Sequence, residues 1–322
     1  MIIAKSLSIL SPTGTLYFLL PTSLLKIRAH SDIRKVILSQ TSIKQIDLYK
    51  GRFDGVFTDF FSIKLCSVTA STQKYVVNTE GGNVLISLSD KDRTAGHIAI
   101  ESFSEMDMAI MQKMESCCHD TLSHSSWALG IVTGDNKRHV QLSQADGLEP
   151  VYAGKQVYPF RLQDSPTYIR FKPENFQQCA KESYYRAPEK LVYRFIANYP
   201  IVAYDDQQCL CLNSANILIP QLDTISVKSV AALLNSSLYH YYYSLKFSDI
   251  KVLKSYLQVL PFPKLTQQQD EGLSDLVTAI QSNSYSPVYR EQLDKTVFAI
   301  FGITVNEQDY ILERMKGEAP KT

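Results

Sequence analysis

At 322 residues, with 45% hydrophobic and 20% charged content, the chain is long enough for two or three domains with their own cores and too apolar for a disordered one. Net charge is only +1, but residues 1–68 hold nine Lys/Arg against four Asp/Glu and residues 265–322 hold five against nine. This excludes a uniformly basic protein; a polyanion-binding surface on one side fits the asymmetry, as does chance unevenness in a neutral chain.

The chain opens as a β-α-β unit. Pro12-Thr13-Gly14 makes a turn, residues 15–20 a short apolar strand, and Pro21-Thr22-Ser23 the start of a helix with apolar spacing at Leu24, Ile27, Ile33, Val36 and Ile37. Strands are predicted over 43–48 and, after Phe53-Asp54-Gly55, over 56–68. This is the alternation of an α/β sheet, with too few strands to stand alone. The apolar run 16–25 is broken by Pro21, falls far below the ~20 residues that span a bilayer and lacks a signal peptide's layout, so the protein is expected to be cytoplasmic, with no membrane partner. Residues 73–88 read as a hairpin about Asn78-Thr79-Glu80-Gly81-Gly82-Asn83. Residues 104–118 place Met106, Ile110, Met111 and Met114 at helical spacing, which more often marks a core face than a binding surface.

The stretch 129–194 interleaves ten Lys/Arg and seven Asp/Glu with nine Tyr/Phe. Cations to meet phosphates and rings to meet bases suit a nucleic-acid surface, and an ordinary solvated face of a β-rich domain carries the same mixture. Residues 226–245 are the plainest helix in the chain, with Val227, Val230, Leu233, Leu234 and Leu238 on its buried face. Tyr239, Tyr241, Tyr242 and Tyr243 crowd its end, and a half-buried structural cluster is favoured there over a base-stacking surface. After Pro261-Phe262-Pro263, helices are predicted over 267–281, 288–301 and 306–315, packing as a hairpin with an acidic outer face. The six cysteines (Cys66, Cys117, Cys118, Cys179, Cys209 and Cys211) have no metal-ligand spacing, and the six histidines lie in unrelated contexts. No nucleophile, acid–base pair or metal site is predicted.

The order of several short motifs is more specific than any one of them. Gly130-Ile131-Val132-Thr133-Gly134-Asp135-Asn136-Lys137 is followed by Pro150-Val151-Tyr152-Ala153-Gly154-Lys155, Tyr168-Ile169-Arg170-Phe171, Ala187-Pro188-Glu189-Lys190, Ala232-Leu233-Leu234-Asn235-Ser236 and Leu260-Pro261-Phe262-Pro263. In this order they resemble the TaqI-like C-terminal specificity domain of adenine-specific DNA methyltransferases and fused restriction-methylation enzymes. Upstream, residues 12–21 and Phe53-Asp54-Gly55-Val56 resemble the last third of the methyltransferase fold in the same family. The terminal Leu293-Asp294-Lys295-Thr296-Val297 run and Gly302-Ile303-Thr304 resemble that family's closing helix and turn.

The resemblance implies an α/β remnant of a methyltransferase sheet (1–100), an α+β target-recognition domain (101–264) and a helical C-terminal segment (265–322). It implies sequence-specific recognition of double-stranded DNA for adenine methylation in a restriction-modification system. Lys137, Arg138, Lys155, Arg170, Lys172, Arg186, Lys190 and Arg194 are the expected DNA contacts. Phe53 is the expected contact to a flipped base, with a loop anchor as the alternative role. The sequence contains no Gly-x-Gly for S-adenosylmethionine and no Pro-Pro of the family's Asn-Pro-Pro-Tyr/Phe tetrapeptide. A truncated or split enzyme is therefore expected, binding no cofactor alone and inactive alone, with S-adenosylmethionine and a separate polypeptide carrying the N-terminal methyltransferase half as partners of the complete enzyme. A stand-alone specificity subunit similar to those of type I restriction systems is the alternative. It would share the Gly-Lys and Leu-Asn-Ser elements but not Phe53-Asp54-Gly55-Val56.

Overall fold

A computed structural model describes residues 2–26, 30–49, 59–67, 73–79, 82–88, 90–100, 103–163, 167–247, 250–282 and 287–316. The chain divides into two compact units, 1–105 and 106–322, each with its own apolar core.

The first unit runs α1 (Ile2–Ser8), β1 (Thr15–Pro21), α2 (Ser23–Lys26), α3 (Ser31–Gln40), β2 (Ser42–Tyr49), β3 (Phe60–Cys66), β4 (Gln73–Thr79), β5 (Gly82–Leu88) and α4 (Asp90–Ala95). Its sheet has the order β1-β3-β2-β4-β5. β3 is antiparallel to both β1 and β2, so those two run in the same direction, as the β-α-β reading requires. They are not neighbours, however: β3 occupies the slot between them, a placement that local periodicity does not encode. The 73–88 hairpin is present, Gln73 pairing with Leu88 and Thr79 with Gly82.

Strand alternation explains the core of this unit. Ile46, Phe61, Ile63, Leu65 and Val77 are buried on one face with Ile37 and Leu38 of α3. Arg34 is drawn into the same packing because its guanidinium donates to the Gly96 carbonyl at 2.6 Å and the Leu24 carbonyl at 2.8 Å. On the other face, Asp47 accepts from Tyr17 and Ser62, each at 2.7 Å, and from Gln45 and Asn78, each at 2.6 Å. Burial opposes ionisation of Asp47, but the four donors outweigh it and hold the carboxyl at about 2.

The second unit begins with α5 (Glu105–Ser116), β6 (Ser126–Leu129), α6 (Asn136–His139), β7 (Val140–Gln141), β8 (Glu149–Tyr152), β9 (Val157–Tyr158), β10 (Arg161–Leu162), β11 (Tyr168–Ile169) and α7 (Glu182–Tyr185). It continues with β12 (Lys190–Arg194), β13 (Val202–Asp205), β14 (Leu210–Cys211), β15 (Ala215–Ile219), α8 (Val227–Leu234), α9 (Ser237–Lys246), α10 (Lys254–Leu257), α11 (Gln267–Ser282), α12 (Pro287–Ile300) and α13 (Val305–Met315). An antiparallel sheet β13-β12-β15-β6 forms its centre, and short strands β14-β8-β11-β7 form a second sheet. The central strands read as apolar runs because α8 packs on β12 and β13. α11 lies on α8, while α12 and α13 lie on α9, so the helices beyond residue 265 share this unit's core.

The helix predicted over 226–245 is in fact two, α8 and α9. Asn235 leaves the helix to pair with strand β13, its Nδ2 donating to the Val202 carbonyl at 2.8 Å and its Oδ1 accepting from the Val202 N–H at 3.0 Å. Ser236 then caps α9 by accepting from the Tyr239 N–H. Asp294 of α12 clasps the same break, accepting from the Ser237 N–H at 2.7 Å and the Ser237 hydroxyl at 2.6 Å. Apolar spacing alone passes straight through this junction, since every residue from Val230 to Tyr243 is buried.

Candidate nucleic-acid interface

Three segments meet where residues 130–134 leave β6. The Ile131 N–H donates to the Cys211 carbonyl at 2.7 Å, and the Asn213 N–H donates to the Ile131 carbonyl at 3.0 Å. On the other side Val132 and Gln178 exchange both backbone bonds, at 2.9 and 3.0 Å. Gly130 fits because a Cβ there would lie 2.3 Å from the Leu212 and Ala215 carbonyl oxygens; a Cβ on Gly154 would likewise lie 2.3 Å from the Ser214 oxygen. These contacts frame a polar cavity of about 290 Å³ lined by Val132, Thr133, Gly134, Asn136, Gln177 and Asn213.

Positive charge gathers beside it. β7 pairs with β11, Val140 opposite Ile169, so the residues entering β7 run beside those leaving β11. Lys137 and Arg138 of α6 thus lie at the same end of the β7–β11 pair as Arg170 and Lys172, and all four are exposed. Lys137, Arg138 and Lys172 form no ion pair among the described residues, and Arg170 donates to the Asp146 carbonyl at 2.7 Å. Asp135 caps α6 by accepting from the Lys137 and Arg138 N–H groups, which fixes where those side chains begin. Lys155 is exposed next to Gly154, whose N–H donates to the Ser214 hydroxyl at 2.9 Å, one residue from Asn213. Several rings near these cations are half-buried against one another or against the core: His139 packs edge-on against Phe176, and Phe171 against Tyr185.

Three of the eight expected cations have other work. Lys190 is fully buried, ion-paired with Asp205 and donating to the Tyr185 carbonyl at 2.7 Å, so as placed it meets no phosphate. Arg186 pairs with Glu149 at 2.7 Å and Glu182 at 3.3 Å; the Glu149 hydrogen bond leads in raising its already high pKa. Arg194 is half-buried, donating to the Val157 carbonyl at 2.8 Å beneath the Tyr158 ring. In each case a basic residue in a ring-rich stretch gave the same sequence signal as a surface cation. Phe53 lies outside the described residues. The tyrosines of α9 are buried, with the Tyr241 hydroxyl bonded to Asp107 and the Tyr242 hydroxyl to Glu115, which leaves them no face for stacking on bases.

Sequence reasoning missed Gln177 and Asn213, whose significance lies wholly in the backbone pairing that brings 177–178 and 211–213 to the same strand. Among the described residues no three His, Cys, Asp or Glu could hold a metal, and no helix is long and apolar enough to cross a membrane.

Residues 149–262 match the family model described as the TaqI-like C-terminal specificity domain. The Type II methyltransferase M.VspI of Vibrio sp. (strain 343) is 31% identical over 155 residues, covering 47% of this chain and 38% of the relative. The chain therefore spans well under half the length of that relative. Among solved structures, the Type IIL restriction-modification enzyme MmeI in complex with DNA is similar with a TM-score of 0.60 at 10% identity, over 98% of this chain and 50% of that one. A nuclease-deletion mutant of the Type ISP restriction-modification enzyme LlaGI, in complex with a DNA substrate mimic, is similar with a TM-score of 0.53 at 11% identity, over 84% of this chain and 36% of that one. At such identities the structural likeness is one of fold. Residues 149–262 are thus similar to a TaqI-like C-terminal specificity domain, and about half of the chain is similar in sequence to a Type II methyltransferase.

Proposed function

We propose that this chain reads duplex DNA for a restriction-modification methyltransferase that acts on adenine. The observation that carries the reading is the end of the β7–β11 pair bearing Lys137, Arg138, Arg170 and Lys172 beside a carboxamide-lined cavity, within and just before the stretch that matches a specificity domain. Cations so placed neutralise phosphates and fix register, and uncharged polar groups beside them are suited to base edges. Residues 1–105 contribute part of the methyltransferase sheet in this reading. In this reading S-adenosylmethionine is held by groups this sequence does not carry, and Phe53 is the contact this chain offers to the flipped base.

Titration of a fluorescein-labelled duplex with the full chain, followed by anisotropy across a salt series, tests this. Binding should weaken steeply with salt, with a log-log slope of about −0.9 for each phosphate neutralised. Failure to bind any duplex at low salt contradicts the proposal.

A further inference from the structure

We propose that the carboxamides of Gln177 and Asn213 read the edge of one base, an adenine, in the major groove of the bound duplex, with Asn136 as the fixed wall of the pocket. The proposal rests on the DNA-reading function above and adds the residues that choose sequence. No charged side chain lines this cavity, so it offers no counter-charge to a phosphate. It does offer three carboxamides on three chain segments. A Gln or Asn carboxamide presents a donor beside an acceptor, the complement of the N6 and N7 edge of adenine.

The pocket is built before any ligand arrives. The Thr133 hydroxyl, only 6% exposed, donates to Asn136 Oδ1 at 2.6 Å, which turns the Asn136 Nδ2 into a donor of set direction. Gln177 precedes the residue that exchanges both backbone bonds with Val132, and Asn213 donates its own N–H to Ile131. Gly134, at a φ of 80°, makes room on the Gln177 side: a Cβ there would sit 3.2 Å from the Gln177 Cβ. Among the described residues, the side-chain amides of Gln177 and Asn213 have no hydrogen-bond partner, and both residues are exposed. They can therefore bond to a base without first breaking an internal contact. Lys137 follows Asn136 directly, and Lys155 lies beside Gly154, which is bonded to Ser214, so cations flank the pocket where the phosphates of a docked strand would run.

The full 322-residue chain would be incubated with a pool of duplexes carrying a randomised centre, and the retained fraction sequenced, for the wild type and for Gln177→Ala, Asn213→Ala and Gln177→Glu. The wild type should enrich a motif containing an adenine. At that position an alanine variant should lose a substantial part of the roughly 5- to 150-fold preference that the pair of bonds to N6 and N7 gives, while its affinity for an unrelated duplex stays within about twofold. Gln177→Glu, which can only accept, should move the preference towards cytosine, whose N4 donates. An unchanged motif in both alanine variants, or an equal loss for all duplexes, overturns the assignment. So does a wild type that binds duplexes without preference, which would leave the DNA-binding function standing. A wild type that binds no duplex overturns the function and the pocket together.

Discussion

Lys190 and Asp205 face each other directly across the β12–β13 ladder, both buried, and form an ion pair that also ties down two loops. The Lys190 ammonium donates to the Tyr185 carbonyl at 2.7 Å, and the Asp205 carboxylate accepts from the N–H groups of Gln207 at 2.9 Å and Cys209 at 3.0 Å. Removing one partner leaves the other charge buried and uncompensated. Lys190→Ala should therefore cost about 3–5 kcal/mol of stability, measured by urea unfolding. Any loss of DNA binding should follow the unfolded fraction. A variant that is fully stable but binds DNA poorly would return Lys190 to the interface.

Asn235 reaches strand β13 from a helix junction and holds both the N–H and the carbonyl of Val202, beside the bridge that Phe160 makes to Ala203. Asn235→Ala strands the buried Val202 N–H, at a cost of about 1–3 kcal/mol. The shift in urea midpoint should exceed that of Ser282→Ala at the exposed end of α11, whose hydroxyl bonds only to its own helix.

His240 is buried and stacked on Tyr199 with ring centroids 4.1 Å apart. Burial, assisted by the Arg290 charge, pushes its imidazole down to about 3, against 6.5 for the free group. In this range the unfolded chain binds a proton that the folded chain refuses, so stability is lost as pH falls below 6.5 and the loss continues to about 3. Its slope should approach 1.4 kcal/mol per pH unit. Denaturant titrations of wild type and His240→Phe between pH 7 and 4 should diverge in slope by about one proton. Parallel curves would show that the imidazole is protonated in the fold.

What could be read from the sequence, and what could not, follows from the range of the interactions. The hairpin over 73–88, the Met-striped helix α5 and the three closing helices are local patterns, and their residues are placed as their spacing implies. The slot taken by β3, the break at Asn235 and the burial of Lys190 depend on partners 15 or more residues away, which periodicity does not register. The same holds for the candidate site. The cations of 137–138 and 170–172 announce themselves by charge, whereas Gln177 and Asn213 become neighbours only through backbone bonds to 131 and 132.

Duplex recognition rests on the cations Lys137, Arg138, Arg170 and Lys172 at one end of the β7–β11 pair, and the salt dependence of duplex binding measures their part directly. Lys137→Ala and Lys172→Ala, combined in the full chain, remove two exposed charges and no described ion pair, so folding should be unchanged by circular dichroism and urea unfolding. If both meet phosphates, the log-log slope of affinity against salt should become shallower by about 1.8, with affinity falling for related and unrelated duplexes alike. A folded double variant with the wild-type slope and affinity would contradict the account and place the DNA surface elsewhere on the molecule.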